Sequence, residues 1–197
     1  MTDLTSEAQF DNFFALFEQP VQFAVNQEHL DQQLRLLQKR YHPDNLSVAN
    51  AKNAADSAQA KQQSEQASAL INQAYQTLSV PDSRASYLLD IAGQAQNLEH
   101  SIADLDFLED AMEMRIDLDD AIGDKDIATL KQLHPQITER LAKQSERFNT
   151  AYQSQDWQTA IDATQKLKFL VKLDADVTTG LDTVASAEHS DDDDLYV

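Results

Sequence analysis

The chain has 197 residues, of which 42% are hydrophobic, with three glycines, four prolines and no cysteine. Its formal net charge of −19 sets it against phosphate backbones and anionic membranes, so nucleic acid and lipid are poor partners. The lack of cysteine excludes a disulfide framework and any thiolate-ligated zinc or iron–sulfur site in this chain. Ala, Asp, Leu and Gln dominate, while β-branched and aromatic residues are sparse. That composition, with so few turn formers, predicts an all-α protein of long elements.

In chain order, Met1 to Phe10 lacks a basic n-region and an apolar run, and no window approaches the roughly 18 apolar residues of a membrane span. Residence in the cytoplasm is the expectation. Phe10, Phe13, Phe14, Leu16 and Phe17 predict a short helix ending before Pro20. Asn26 suits an N-cap, and the helix it opens runs to Tyr41 with Leu30, Leu34, Leu37 and Tyr41 as its core stripe. Pro43 disfavours helical geometry at His42 and stops it there. Asn45 to Ala51 reads as a loop, followed by a long helix carrying Ala67, Leu70, Ile71, Ala74, Tyr75 and Leu78. Pro81-Asp82 begins another helix, which passes through Tyr87-Leu88-Leu89 and stops before Gly93.

Residues 94–103 are polar and mixed, a linker by composition. Three amphipathic stretches follow at about 104–122, 126–154 and 156–182, with breaks at Gly123-Asp124 and Gln155-Asp156. Pro135 should kink the second stretch or divide it in two. Two antiparallel α-domains fit these lengths. Residues 185–197, with Asp191 to Asp194, are too polar to pack and read as a disordered acidic tail.

The charge is uneven. Residues 1–93 carry six Lys/Arg against eleven Asp/Glu, and residues 94–197 carry nine against twenty-three. Half of the N-terminal cations, Arg35, Lys39 and Arg40, lie in the helix that leads into His42-Pro43-Asp44. Screening confines each charge to about 8–10 Å in physiological salt. A basic helix face therefore attracts an acidic partner even on a strongly acidic chain. Such a face is most often plain solvated surface, and a His-Pro-Asp tripeptide alone is a weak motif.

The surroundings carry a resemblance. A short aromatic helix, Leu36-Leu37-Gln38-Lys39-Arg40-Tyr41-His42-Pro43-Asp44, then Ile71-Asn72-Gln73-Ala74-Tyr75-Gln76-Thr77-Leu78 and Pro81-Asp82-Ser83-Arg84-Ala85-Ser86-Tyr87 together resemble a J-domain. The resemblance implies a helical hairpin with short flanking helices over residues 1–93. It further implies that His42, Pro43, Asp44, Arg35, Lys39 and Arg40 bind an Hsp70-type ATPase and stimulate its hydrolysis. Asn45 stands where J-domains often carry Lys.

No glycine/phenylalanine-rich linker or zinc-finger pattern follows. Instead, Phe107-Leu108-Glu109-Asp110-Ala111-Met112-Glu113-Met114-Arg115, Trp157 and Lys166-Leu167-Lys168-Phe169-Leu170-Val171-Lys172-Leu173 resemble the C-terminal part of the HscB family, J-type co-chaperones of iron–sulfur cluster assembly. This resemblance reaches to about residue 182. It implies a three-helix bundle over 104–184, an L-shaped two-domain arrangement, an HscA-type Hsp70 and an IscU-type scaffold protein as partners, and neither a cofactor nor a metal of its own. Scaffold binding would fall to Leu108, Met112, Glu113, Arg115, Ile116 and Phe169. Glu109 stands where the family commonly has an apolar residue, and Ile116 where it commonly has an acid.

The residues themselves leave one choice open at this point. Phe107, Ala111, Met114 and Leu118 make one apolar stripe, and Leu105, Leu108, Met112 and Ile116 a second, rotated from it. A bundle helix needs one stripe. The second is either a broad core or an exposed patch of the kind that marks partner sites. An enzyme is disfavoured, since His29, His42, His100, His134 and His189 show no ligand spacing and no phosphate loop or nucleophile motif exists. A J-protein with another client, and a helical scaffold whose tripeptide is incidental, are the other readings.

Overall fold

The computed structural model describes residues 11–42, 54–98 and 102–193, and all regular structure among them is helical. Pro43, Asp44 and the stretch from Asn45 to Ala51 lie outside the described residues. The chain forms two compact units, Met1–Leu88 and Leu89–Val197. The division falls inside a helix, five residues ahead of the linker composition suggests.

In the first unit α1 (Phe13–Leu16) opens on Asn12, whose side chain accepts the Ala15 N–H at 2.9 Å. It buries Phe14 and Leu16, with Phe17 buried just beyond. α2 (Gln27–Tyr41) opens on Asn26 as expected, the Asn26 side-chain oxygen accepting the His29 N–H at 3.0 Å. Leu30, Leu37 and Tyr41 are buried and Leu34 is half-buried, so the stripe is real. α3 (Ala54–Ser79) returns antiparallel to α2 and buries Ala67, Ile71, Ala74 and Leu78. Polar ties lock the register: the Tyr75 hydroxyl donates to Asp31 at 2.8 Å, and the buried Ser64 hydroxyl donates to the Tyr41 carbonyl at 2.6 Å. Ser64 thereby satisfies one of the orphan carbonyls at the end of α2.

α4 (Pro81–Ile91) begins on Pro81 with Asp82 in its first turn. Its Tyr87 hydroxyl accepts the Phe13 N–H at 2.9 Å, and its ring stacks on Phe13 at 4.7 Å, holding α1. Arg84 is buried, donates to the Leu78 carbonyl at the end of α3, and lies 4.8 Å over the Phe23 ring. Burial pushes its guanidinium down to about 10, so it stays charged at neutral pH. A cation suits that place because the helix dipole is negative there. α4 ends with Gly93 at φ 72, where Gln94 N–H bonds the Leu89 carbonyl and Gly93 N–H the Asp90 carbonyl. These are the paired bonds of a Schellman cap. A short 3₁₀ turn, Ala95–Asn97, lies inside the stretch expected to be linker.

In the second unit α5 (Leu105–Gly123), α6 (Ile127–Gln153) and α7 (Trp157–Asp193) follow one another through three-residue loops. Both loops use the same grammar. A residue at positive φ, Lys125 at 55° or Gln155 at 58°, completes a Schellman cap. The next residue, Asp126 or Asp156, caps the following helix through its side chain. Gly123 is the last residue of α5, and the left-handed position falls on Lys125.

Met114, Leu118, Ala121, Leu130, Leu133, Ile137, Leu170, Leu173, Val177 and Val184 form the buried core of the bundle. Two places in this unit bear on the reading from sequence. α6 is one helix through Pro135 and is not divided. Pro135 is exposed, so water can reach the carbonyl it leaves unbonded, while Leu133 and Ile137 on either side are buried. Packing on both flanks outweighs a proline cost of about 3 kcal/mol. α7 continues to Asp193, past residue 185, where the acidic tail is expected to begin. Extending an existing helix avoids the nucleation cost that keeps short polar helices unfolded.

Candidate functional site

α2 sorts its residues by side. Leu30, Leu37 and Tyr41 face the core, while Arg35, Leu36, Lys39, Arg40 and His42 are exposed. The Arg40 guanidinium lies 5.6 Å over the Tyr41 ring, which restrains it at the end of the helix. His42 has left the helix, with φ −62 and ψ 137, the extended geometry that a following proline imposes. The sequence-predicted Arg35, Lys39, Arg40 and His42 thus share the exposed surface at the end of α2. Pro43 and Asp44 continue from it beyond the described residues.

α5 settles the choice between two stripes. Phe107 is partly buried, while Ala111, Met114 and Leu118 are buried in the core. The second stripe points away: Leu105 is 76% exposed, Met112 58% and Ile116 57%, with Leu108 half-buried. At about 100° per residue these four span an arc of about 80°, one continuous apolar strip. Burying it would release on the order of 25 cal/mol per Å² of apolar surface, and the fold leaves that free energy unused.

Three ion pairs pin the helix that bears the strip. The Lys166 ammonium, almost fully buried, donates to Asp104 at 2.6 Å and lies 5.3 Å over the Phe107 ring. It also lies 2.9 Å from Asp162, at an angle that makes no hydrogen bond. Arg140 of α6 bonds Asp110, with one contact at 2.8 Å. Arg115 bonds Asp119 at 3.0 Å and also Asp176 of α7. These contacts raise the Arg115 guanidinium above its ordinary range, its bond to Asp176 first. The Asp104 carboxyl is held below its ordinary range, first by the Lys166 hydrogen bond and then by the Phe107 N–H that it caps. α5 therefore offers its strip from a fixed support.

The other predicted scaffold residues fall around the strip. Glu113 is exposed and lines the groove against α6 with Asp110, Asp117 and Arg140. Arg115 is half-buried and engaged with two carboxylates of its own chain. Phe169, half-buried on α7, packs on the core and meets Phe107 edge to face at 6.3 Å. It is more a wall of the bundle than a free anchor. Lys166 escaped the sequence reading, although a signal was there: it sits on the buried period of α7 shared by Ala163, Leu167 and Leu170, a place no lysine takes without a partner. Among the described residues no group of three or more His, Asp or Glu side chains could hold a metal ion, and no helix is long and apolar enough to cross a membrane.

Residues 103–178, which span α5 to most of α7, match the family model described as the HSCB C-terminal oligomerisation domain. The chain is 36% identical over 181 residues to a co-chaperone protein HscB homolog of Acinetobacter baumannii, covering 92% of this chain and 96% of that one. It is 36% identical over 168 residues to an HscB homolog of Photobacterium profundum, covering 82% and 92%. Among solved structures, chaperone HscB from Vibrio cholerae superposes with a TM-score of 0.68 at 34% identity, covering 88% of this chain and 99% of that one. Human co-chaperone HscB has the same fold, with a TM-score of 0.65 at 23% identity over 85% of this chain and 83% of that one. With a J-domain-type helical hairpin ahead of a three-helix bundle, and relatives aligned over nearly its whole length, the chain belongs to the HscB co-chaperone family.

Proposed function

We propose that the protein stimulates the ATPase of an HscA-type Hsp70 through His42, Pro43, Asp44 and the basic face of α2, and delivers to it an IscU-type iron–sulfur scaffold protein held on α5. The observation that carries this reading is the exposed strip of Leu105, Met112 and Ile116 on a helix fixed by three ion pairs. An apolar strip left in water on a rigid support is what a partner site requires. The basic end of α2 supplies the complementary half: cations at a helix terminus facing an acidic ATPase surface, with Asp44 pairing with a cation there. The protein itself then needs neither cofactor nor metal, since the scaffold carries the cluster, and its work belongs in the cytoplasm.

The test is single-turnover hydrolysis by the cognate Hsp70 with and without scaffold. Wild-type protein should accelerate it, and Asp44→Asn should abolish the acceleration while leaving scaffold binding by calorimetry unchanged. Equal acceleration by both proteins would remove the Hsp70 half of the reading. Failure of an IscU-type scaffold to bind wild-type protein would remove the other half and leave a J-protein with a different client.

A further inference from the structure

The basic face of α2 carries one residue that electrostatics does not explain. Leu36 is 60% exposed, one of six large hydrophobic residues so exposed among the described residues. At about 100° per residue, Lys39 lies about 60° to one side of Leu36 and Arg40 about 40° to the other, with Arg35 about 100° away beyond Lys39. The core residues Leu37 and Tyr41 lie on the opposite flank. An isolated exposed leucine is ordinary. A leucine with cations one turn further along the helix is different, because long basic side chains can lay their methylene stems along apolar neighbours and keep their charged heads outward. The surface is an apolar spot with a positive margin toward the helix end, Gln32 and Gln33 standing on its other side.

We infer that Leu36 is a specificity-determining anchor of the α2 face, fitting a partner surface on which an apolar spot is bordered by carboxylates on one side. The inference rests on the proposed Hsp70 docking and adds a second component to it. Charge alone makes a contact fast and salt-sensitive but tolerant of any acidic surface. An apolar anchor beside the charged margin adds a requirement of shape, and desolvated anchors carry most of the affinity at protein interfaces. Leu36 has no role in holding the fold that its exposure allows, so its replacement reports on docking.

The experiment is a titration of the full chain against the cognate Hsp70, reading the concentration for half-maximal ATPase stimulation at several salt concentrations. Leu36→Ala should raise that concentration roughly tenfold with the maximal rate and the salt dependence unchanged. Leu36→Met should restore it, and Arg40→Ala should flatten the salt dependence instead. Circular dichroism should show equal helicity in all variants. If Leu36→Ala titrates like wild type while Asp44→Asn abolishes stimulation, the anchor is overturned and the docking reading stands. If Asp44→Asn stimulates fully, the docking reading falls and the anchor with it.

Discussion

α2 and α5 each expose apolar side chains on a helix whose other side is core, but opposite charges surround them. Around Leu36 on α2 stand Arg35, Lys39 and Arg40. Around Leu105, Met112 and Ile116 on α5 stand Asp106, Glu109, Glu113, Asp117, Asp119 and Asp120, with Arg115 as the sole cation of that helix and already bonded within the chain. The balance between the two components also differs. α2 presents one apolar residue among three cations, and α5 presents a strip of four with an acidic margin. The first face suits a partner recognised by charge and released easily, the second one held by desolvation. An adaptor that must hold one protein while touching another transiently needs this asymmetry. Under the proposed function, opposite signs would also keep each face from taking the other's partner.

The largest effect that would break this comparison lies on α5. Met112→Ser with Ile116→Ser removes two exposed anchors without touching the core, and should weaken binding of an IscU-type scaffold by roughly 30- to 100-fold in calorimetry. Stimulation of the Hsp70 by the protein alone should be unchanged. A loss confined to Phe169→Ala would instead place the site on the wall of the bundle. Next in size, Lys166→Ala should cost about 2–4 kcal/mol in denaturant unfolding, since it breaks a buried charge contact and empties a packed position. Scaffold binding should fall with it as α5 loosens, while the α2 face keeps its affinity.

Salt separates the faces more gently. Between 50 and 300 mM, Hsp70 half-saturation should rise several-fold, about 3- to 10-fold, and scaffold affinity should change by less than about twofold. Comparable slopes for both would mean that α5 also binds by charge. Acid acts on the second unit. Asp104, Asp126 and Asp156 are each held below the ordinary carboxylate range by hydrogen bonds: from Lys166 first for Asp104, and from the Thr129 and Thr159 side chains first for the other two. A carboxyl whose folded value is depressed stabilises the fold above its unfolded value, near 4, and loses that contribution as pH falls through the folded value. Thermal unfolding should therefore drop steeply below about pH 4. Changing all three to Asn, which still caps a helix, should flatten the drop. The smallest effect has the opposite sign. Lys125→Gly and Gln155→Gly should each stabilise the bundle by about 0.5–1 kcal/mol, because a side chain at positive φ is strained where glycine is not.

Much of the framework was legible in the order of residues. The cap at Asn26, the start at Pro81, the stop at His42 and the helix-ending Gly93 are local events, decided by a few neighbouring backbone and side-chain atoms. The breaks after α5 and α6 were found, yet Gly123 was not the residue at positive φ, because the position at which a helix ends depends on which bonds its last carbonyls find. At Pro135 and along the acidic end of α7 the helix continues for one reason. Propensity prices a residue alone, and packing or an existing helix overrides it.

What the sequence by itself determined is the all-helical class, the two amphipathic stripes of α5, and the concentration of positive charge before His42-Pro43-Asp44. Those follow from period, composition and spacing along the chain. The tertiary structure alone decided which stripe of α5 stays in water, because that depends on where α6 and α7 lie, and a stripe is apolar whether or not a neighbour covers it. It decided too that Lys166 is buried against Asp104, that Arg115 is engaged within its own chain, and that Leu36 stands open among cations. Each of these is a relation between residues distant in sequence, fixed only when the helices pack.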